Sequence, residues 1–465
     1  MRAHPAGPRH GEGADLAGQP VVPADLNALD PAVWPQSIGR EPIAGALTIG
    51  GVDLRDLTRE HGSPAYVLDE RDFRVRMHSF REAFPDSDVY YAGKAFLCRA
   101  VARWVAQEGL NLDVCSGGEL AIALSAGLPA SRIALHGNNK SIGEISAALD
   151  AGVGRIVLDS FEEIVRVAAA AEERGVRARV LVRVTVGVEA HTHEFIATAH
   201  EDQKFGFSLA EGDAEEAVRR VLKLKALDLV GLHSHIGSQI FDTAGFEVSA
   251  HRVVELAGRI RDEHGVELAE LGLGGGFGIA YVAGDDPEPT SDIAARLIAI
   301  VGRECTGLGL AVPRLSVEPG RAIAGPGTIT VYEVGTVKPV RLDGGLVRTF
   351  VSVDGGMSDN IRTALYDSSY SAVLASRRSD AEPMLTRVVG KHCESGDVVV
   401  KDCWLPADLA SGDLLAVAAT GAYCRSMASN YNQLGRPPVV AVRDGLTSVM
   451  VRRETIEDLL RLDAG

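Results

Sequence analysis

The sequence predicts a (β/α)8 barrel joined to an all-β domain, on two observations. Short apolar, β-branched runs alternate with helix-length stretches through the first two-thirds of the chain, and strand-then-helix repeats build parallel sheets. From about Thr328 that rhythm stops, and short strands punctuated by Gly, Pro and Asp replace it, which is the pattern of an all-β unit.

Eight runs read as barrel strands: DVYYAGK (88–94), LNLDVC (110–115), RIALHG (132–137), GRIVLD (154–159), ARVLVRV (178–184), LDLVGLHSH (227–235), LAELGLGGG (268–276) and RLSVEPG (314–320). Stretches such as FEEIVRVAAAAEERG (161–175) and FEVSAHRVVELAGRIRDEHG (246–265) supply the helices between them. A doubly wound sheet is the alternative, but eight successive units favour closure. The barrel is expected over 65–330 and the β domain, itself barrel-like, over 331–465. A lead-in at 41–64 contains IAGALTIGGVDL (43–54), which is expected to add a strand to the β domain. Residues 1–40, rich in Gly, Pro, Ala and His, are expected to form an unstructured arm.

Composition narrows the function. At 465 residues and 46% hydrophobic, the chain can bury the cores of two or three domains. A net charge of −16 argues against a general nucleic-acid binder and fits an anionic membrane surface poorly. The six cysteines form no CxxC pair and read as free thiols. The first residues lack the apolar core of a signal peptide, and no run approaches the roughly 20 apolar residues of a membrane span. A cytoplasmic protein is expected.

In a (β/α)8 barrel the reactive groups sit at the carboxyl ends of the strands. Polar residues gather at those ends here: Lys94, Asp113 with Cys115, His136 with Asn138, Asp159, His235 with Ser238, Gly274–Gly276, and Glu318 with Arg321. Taken alone, Lys94 reads as a surface lysine or as a Schiff-base lysine. GLGGGFG (272–278) is a phosphate nest or simply a tight turn, and its spacing is not that of a dinucleotide fingerprint. Glu318 is either half of a structural pair with Arg321 or the partner of a pyridine nitrogen. The HxH of GLHSHIGSQ (231–239) and the His191/His193 pair lack the further ligands of a metal site, so no metal is expected. In the β domain, KHCESGD (391–397) places Cys393 beside Glu394, DNIRTALYDSSY (359–370) carries Arg362 and Tyr366, and GAYCRSMASNYN (421–432) carries Tyr423.

YAGKAFLC, DVCSGGEL, HGNNKS, HSHIGSQ, GGGFGI, VEPGR, CESGD and GAYCRSMASNYN, in this order, resemble the diaminopimelate decarboxylases. These are fold type III, alanine racemase-like enzymes that use pyridoxal 5′-phosphate. The resemblance runs from about residue 40 to the C-terminus. It implies that Lys94 is the Schiff-base lysine, that His235 stacks on the cofactor ring and that Glu318 pairs with its nitrogen. Ser238, Gly275, Gly276 and Tyr423 would hold the phosphate, with Asp113, Gly320 and Arg321 also at the cofactor and Glu119 supporting the site. Arg321, Arg362, Tyr366, Glu394 and Tyr423 would grip the substrate. Cys393 and Glu394 would come from a partner subunit of a homodimer, with Cys393 or a group it positions delivering a proton to Cα. The implied reaction is decarboxylation of meso-diaminopimelate to L-lysine. A decarboxylase of another basic amino acid or of a carboxylated polyamine is the runner-up. A non-catalytic pyridoxal-phosphate-binding regulator is the alternative from another class. A racemase fits less well, because Glu318 stands where racemases of this group favour Arg.

Overall fold

The computed structural model describes residues 20–187, 204–341 and 347–465. The chain divides into two units: Arg74–Gly278 with Pro287–Ile323, and the residues up to Phe73 with Ile279–Asp286 and Ala324–Gly465. No helix among the described residues is long and apolar enough to cross a membrane.

The first unit is a closed barrel. Its parallel strands are Asp88–Ala92, Asn111–Val114, Ile133–Leu135, Arg155–Leu158, Ala178–Thr185, Leu227–Ser234, Glu270–Gly272 and Arg314–Val317, one for each run read from the sequence. Each pairs with the next, and the last returns to the first through Ser316↔Asp88 and Val317↔Val89. Closure removes the exposed edges that an open sheet would present. At Gly231 the neighbouring strand comes so close that a Cβ would fall on the Glu270 carbonyl, so only glycine fits.

The loops that carry the strand-end residues are fixed by local chemistry. After the second, third and fourth barrel strands, Ser116, Ser141 and Ser160 cap the following helix, each accepting from the backbone N–H of a glutamate three residues on. This satisfies donors that a helix leaves open at its start. Lys140, beyond the third strand, reaches Glu163 at 2.7 Å, with both side chains 2% exposed. Lys140 also donates to the carbonyls of Gly137 (2.8 Å) and Val157 (2.6 Å). A charge pair this deeply buried is tolerated because its donors are used.

The second unit is rich in sheet. Ala65–Asp69 pairs antiparallel with Thr328–Arg341 and parallel with Val439–Arg443. The same nine-stranded sheet takes in Val347–Val353, Ala372–Leu374, Pro383–Val389, Val398–Pro406, Leu414–Val417 and Leu446–Val451. Residues 65–73 therefore belong with this sheet and not with the barrel, because their strand finds its hydrogen-bond partners here. The 43–54 run does not join that sheet. Its Leu47–Ile49 and Val52–Asp53 form a separate three-stranded sheet with Gly39–Arg40, and Leu47, Ile49 and Leu54 enter the core of the unit.

The expected unstructured arm is also corrected where it is described. Val33 and Trp34 are buried in the same core, and Asn27 exchanges hydrogen bonds with the Ser379 backbone at 2.8 and 3.1 Å. The many Gly, Pro and polar residues of 1–40 concealed two apolar anchors. Residues 1–19 lie outside the described residues.

Candidate active site

The carboxyl ends of the barrel strands bring four ionisable groups into one cluster. Glu318, just past the last strand, accepts from His233 Nε2 at 2.7 Å. His136, after the third strand, places its Nε2 3.6 Å from Glu318 Oε1 and 3.2 Å from Asp113 Oδ1 on the second. The two imidazoles meet edge to face, ring centroids 5.1 Å apart. His136, His233 and Glu318 form a group with metal-like spacing, their ligand atoms within 4.8 Å of one another. The His233–Glu318 hydrogen bond uses that proximity for an imidazole–carboxylate pair.

Burial and charge separate the protonation states of these groups. Burial works to raise the Glu318 carboxyl, yet His233 and His136, aided by the His233 hydrogen bond, hold it below the usual carboxylate range. For Asp113, burial and then repulsion from Glu318 push the carboxyl well above that range. Burial brings His136 down to about 4 against the pull of Glu318, and it lowers His233 as well. The cluster thus holds one carboxylate as an anion beside a carboxyl that keeps its proton and two neutral imidazoles.

Other expected residues gather around this cluster. Lys94 lies in the short turn Gly93–Ala95 after the first strand, and its charge acts on Asp113, Glu119 and His235. His235 accepts the Gly275 backbone N–H on Nδ1 at 3.1 Å, which leaves the ring proton on Nε2. Burial first, and the Lys94 charge second, hold its pKa well below the ordinary histidine value. Glu119 accepts from the Cys115 N–H at 2.6 Å. Arg321 donates to Ser238 Oγ at 2.8 Å. A Cβ on Gly275 would fall on the Glu318 carbonyl, so this glycine is required by strand packing as well as by any phosphate. The Ala92 and Ala95 side chains would press at 3.0 and 3.2 Å on a Cβ at Gly320.

An ionised carboxylate, a neutral imidazole and an amine, with a hydroxyl–guanidinium pair on the same barrel, match the parts of pyridoxal phosphate. These are a basic ring nitrogen, a flat ring, an aldehyde and a phosphate. The donor set therefore fits the cofactor.

The β unit holds the remaining residues. Arg362, 5% exposed, opens the short helix Arg362–Tyr366. Its guanidinium faces the rings of Tyr281, Tyr366 and Tyr423 at 5.8, 5.4 and 5.5 Å. Tyr423 itself has φ 66°, a costly conformation for a bulky residue and one that tends to mark functional positions. Cys393 is exposed. The loop around it is held by Asn432, which accepts the Cys393 N–H at 3.2 Å, and by Asp397, which accepts the His392 N–H at 2.8 Å.

The sequence reading missed His233 as the closest partner of Glu318 and placed His136 at the site without a role. The period-2 HxH was the signal, since His233 and His235 share one strand face. Asp159 instead accepts the Gly206 N–H and so ties down a loop. The His191/His193 pair lies outside the described residues.

His136 makes stability depend on pH. Unfolded, its imidazole titrates near ~6.5, while in the barrel it resists protonation down to about 4. As pH falls between these values the unfolded chain binds the proton first, so stability is lost. Urea unfolding from pH 7 to 4.5 should therefore show falling stability. His136→Gln should remove part of that fall, at most about 1.4 kcal/mol per pH unit for one proton. An identical fall in both proteins would contradict the assignment.

Residues 70–325 match the family model described as "Pyridoxal-dependent decarboxylase, pyridoxal binding domain". Over its full length the chain is 57% identical to the diaminopimelate decarboxylase of Mycobacterium leprae, covering all of that protein. It is 45% identical to that of Bacillus subtilis, over 90% of this chain and 95% of the relative. The crystal structure of diaminopimelate decarboxylase from M. jannaschii in complex with L-lysine superimposes with a TM-score of 0.85 at 30% identity, covering 92% of this chain and 98% of that one. With the barrel, the ionised Glu318 and the ordered strand-end residues, these likenesses establish that the chain belongs to the diaminopimelate decarboxylase family of pyridoxal-dependent decarboxylases.

Proposed function

We propose that the chain removes one carboxylate of meso-diaminopimelate as CO2, giving L-lysine in the last step of lysine biosynthesis, with pyridoxal 5′-phosphate as cofactor. The observation that carries the substrate is the state of Arg362. It is a buried cation, and among the described residues no Asp or Glu lies within ion-pair distance of it. Burying a charge without a counter-ion costs several kcal/mol, of order 3–5, so an anion from outside the chain is the natural partner. Diaminopimelate carries a carboxylate at its far end. Lysine and ornithine end in an ammonium, which would set a second cation beside Arg362. The relatives and the lysine complex described above support the same substrate and product.

When bound, the cofactor supplies a sink for the electron pair left by departing CO2. The roles of the chain's own residues follow. Lys94 would hold the cofactor through its amine. Glu318, anionic and hydrogen-bonded by His233, would hold a proton on the ring nitrogen, and His235 would lay an uncharged face on the ring. Ser238, Gly275, Gly276, Gly320 and Arg321 would serve the cofactor from the barrel, with Asp113 and Glu119 bracing the site. In the β unit, Arg362 would take the remote carboxylate, with Tyr366 and Tyr423 beside it. Cys393 Sγ would deliver the proton to Cα, and Glu394 would receive the remote ammonium. The exposure of Cys393 on a fixed loop supports its service to a second copy, so the working form is taken to be a cytoplasmic homodimer with shared sites.

Arg362→Ala should lower kcat/KM for meso-diaminopimelate by roughly 10²–10⁴, as loss of a buried charge-assisted pair costs about 3–5 kcal/mol. CO2 release kinetics test this, and unchanged values would remove the substrate argument. For the shared site, Lys94→Ala and Cys393→Ala chains should each be inactive alone. Mixed and re-equilibrated, they should recover up to about a quarter of wild-type activity through heterodimers with one intact site. No recovery in verified mixed dimers would place Cys393 in its own subunit's site.

A further inference from the structure

The Arg362 guanidinium is held along one edge only. Its Nε donates to the Tyr370 hydroxyl at 2.9 Å and its Nη2 to Ser368 Oγ at 3.3 Å, two donors on the same side of the planar group. The end-on pair, formed by Nη1 and the other Nη2 hydrogen, is left without a side-chain acceptor among the described residues. An end-on fork suits a carboxylate that accepts two parallel hydrogen bonds.

The protons behind Tyr370 have a fixed order. Arginine only donates, so the Tyr370 oxygen accepts from Nε and must send its own proton elsewhere. Its neighbour is Cys424 Sγ, 3.7 Å away. The Cys424 thiol in turn donates to Asn360 Oδ1 at 3.5 Å, and that oxygen also accepts the Arg362 backbone N–H at 3.3 Å. Arg362, Tyr370, Cys424 and Asn360 are therefore linked by two donor paths that start at Arg362 and converge on Asn360 Oδ1, and Tyr370, Cys424 and Asn360 are at most 3% exposed. The Tyr281 and Tyr370 rings meet edge to face, centroids 5.2 Å apart, which fixes the phenol in place.

We propose that Tyr370 is a positioning residue for substrate selection: its hydroxyl occupies the Nε edge of Arg362 and so aims the end-on fork at the substrate's remote carboxylate. This rests on the reading of Arg362 as the carboxylate-binding residue. Tyr370 acts through Arg362 and touches no reacting atom, so its removal should weaken substrate capture more than turnover.

A double-mutant cycle on the pyridoxal-loaded dimer tests this, with kcat and KM for meso-diaminopimelate measured separately and folding checked by thermal unfolding. Tyr370→Phe should raise KM about tenfold or more with kcat within about twofold. In an Arg362→Ala background the same change should have no further effect on KM. An unchanged KM in Tyr370→Phe, or the same fold-change in both backgrounds, would overturn the proposal. Should Arg362→Ala itself leave KM unchanged, the carboxylate reading fails first and the proposal falls with it. If Tyr370→Phe does not fold, Cys424→Val takes its place, because it keeps the phenol but removes the acceptor of its proton. A raised KM that Cys424→Ser restores supports the positioning role, and an unchanged KM in Cys424→Val overturns it.

Discussion

A carboxylate kept ionised inside a barrel is the constraint on which the site depends. Glu318 leaves the strand that closes the sheet against Asp88–Ala92, so its place is set by closure itself. Deep burial would ordinarily neutralise such a group. The hydrogen bond that His233 Nε2 donates at 2.7 Å counters that, with His136 Nε2 3.6 Å away on another strand. The arrangement needs the third, sixth and eighth strands in fixed register, which a closed sheet provides and a flexible loop does not. Asp113, at the same cluster, keeps its proton because burial, and then the Glu318 charge, disfavour its ionised form. The two carboxyls are thereby set to different tasks.

The β unit solves the opposite problem. Arg362 is a buried cation, and the described residues around it are tyrosines and a hydroxyl instead of an acid. Aromatic faces and neutral acceptors reduce the cost of burying the charge but do not cancel it. An internal carboxylate would have made the unit more self-sufficient and would have blocked an anionic ligand. On the proposed reading, selectivity would be a difference in electrostatics: a substrate ending in a carboxylate would complete the pair, and one ending only in an ammonium would meet repulsion.

Much of this was legible in the chain. The barrel was readable because each strand is a short β-branched run and helix-length periodic stretches lie between them. Lys94, His235 and Glu318 stood out because charged or polar groups there end apolar strands. The role of His233 was not legible, since only the geometry shows which of two alternate histidines faces Glu318. Tyr370 was equally silent: its partner Cys424 lies 54 residues away, and the Asn360 that Cys424 bonds lies 64 residues from Cys424. The strand Ala65–Asp69 was assigned to the wrong unit because strand character is local while its partners, Thr328–Arg341 and Val439–Arg443, are remote. Val33 and Trp34 were lost in a segment whose average composition is that of a loop.

The most direct test of the account is CO2 release by the purified, pyridoxal-loaded protein on meso-diaminopimelate, with L-lysine and L-ornithine measured alongside. The account predicts release from diaminopimelate and none above background from the other two, because only the first carries a second, remote carboxylate that Arg362 would take. Comparable release from lysine or ornithine would contradict it, leaving the barrel and the cofactor in place but removing the electrostatic basis for choosing the substrate.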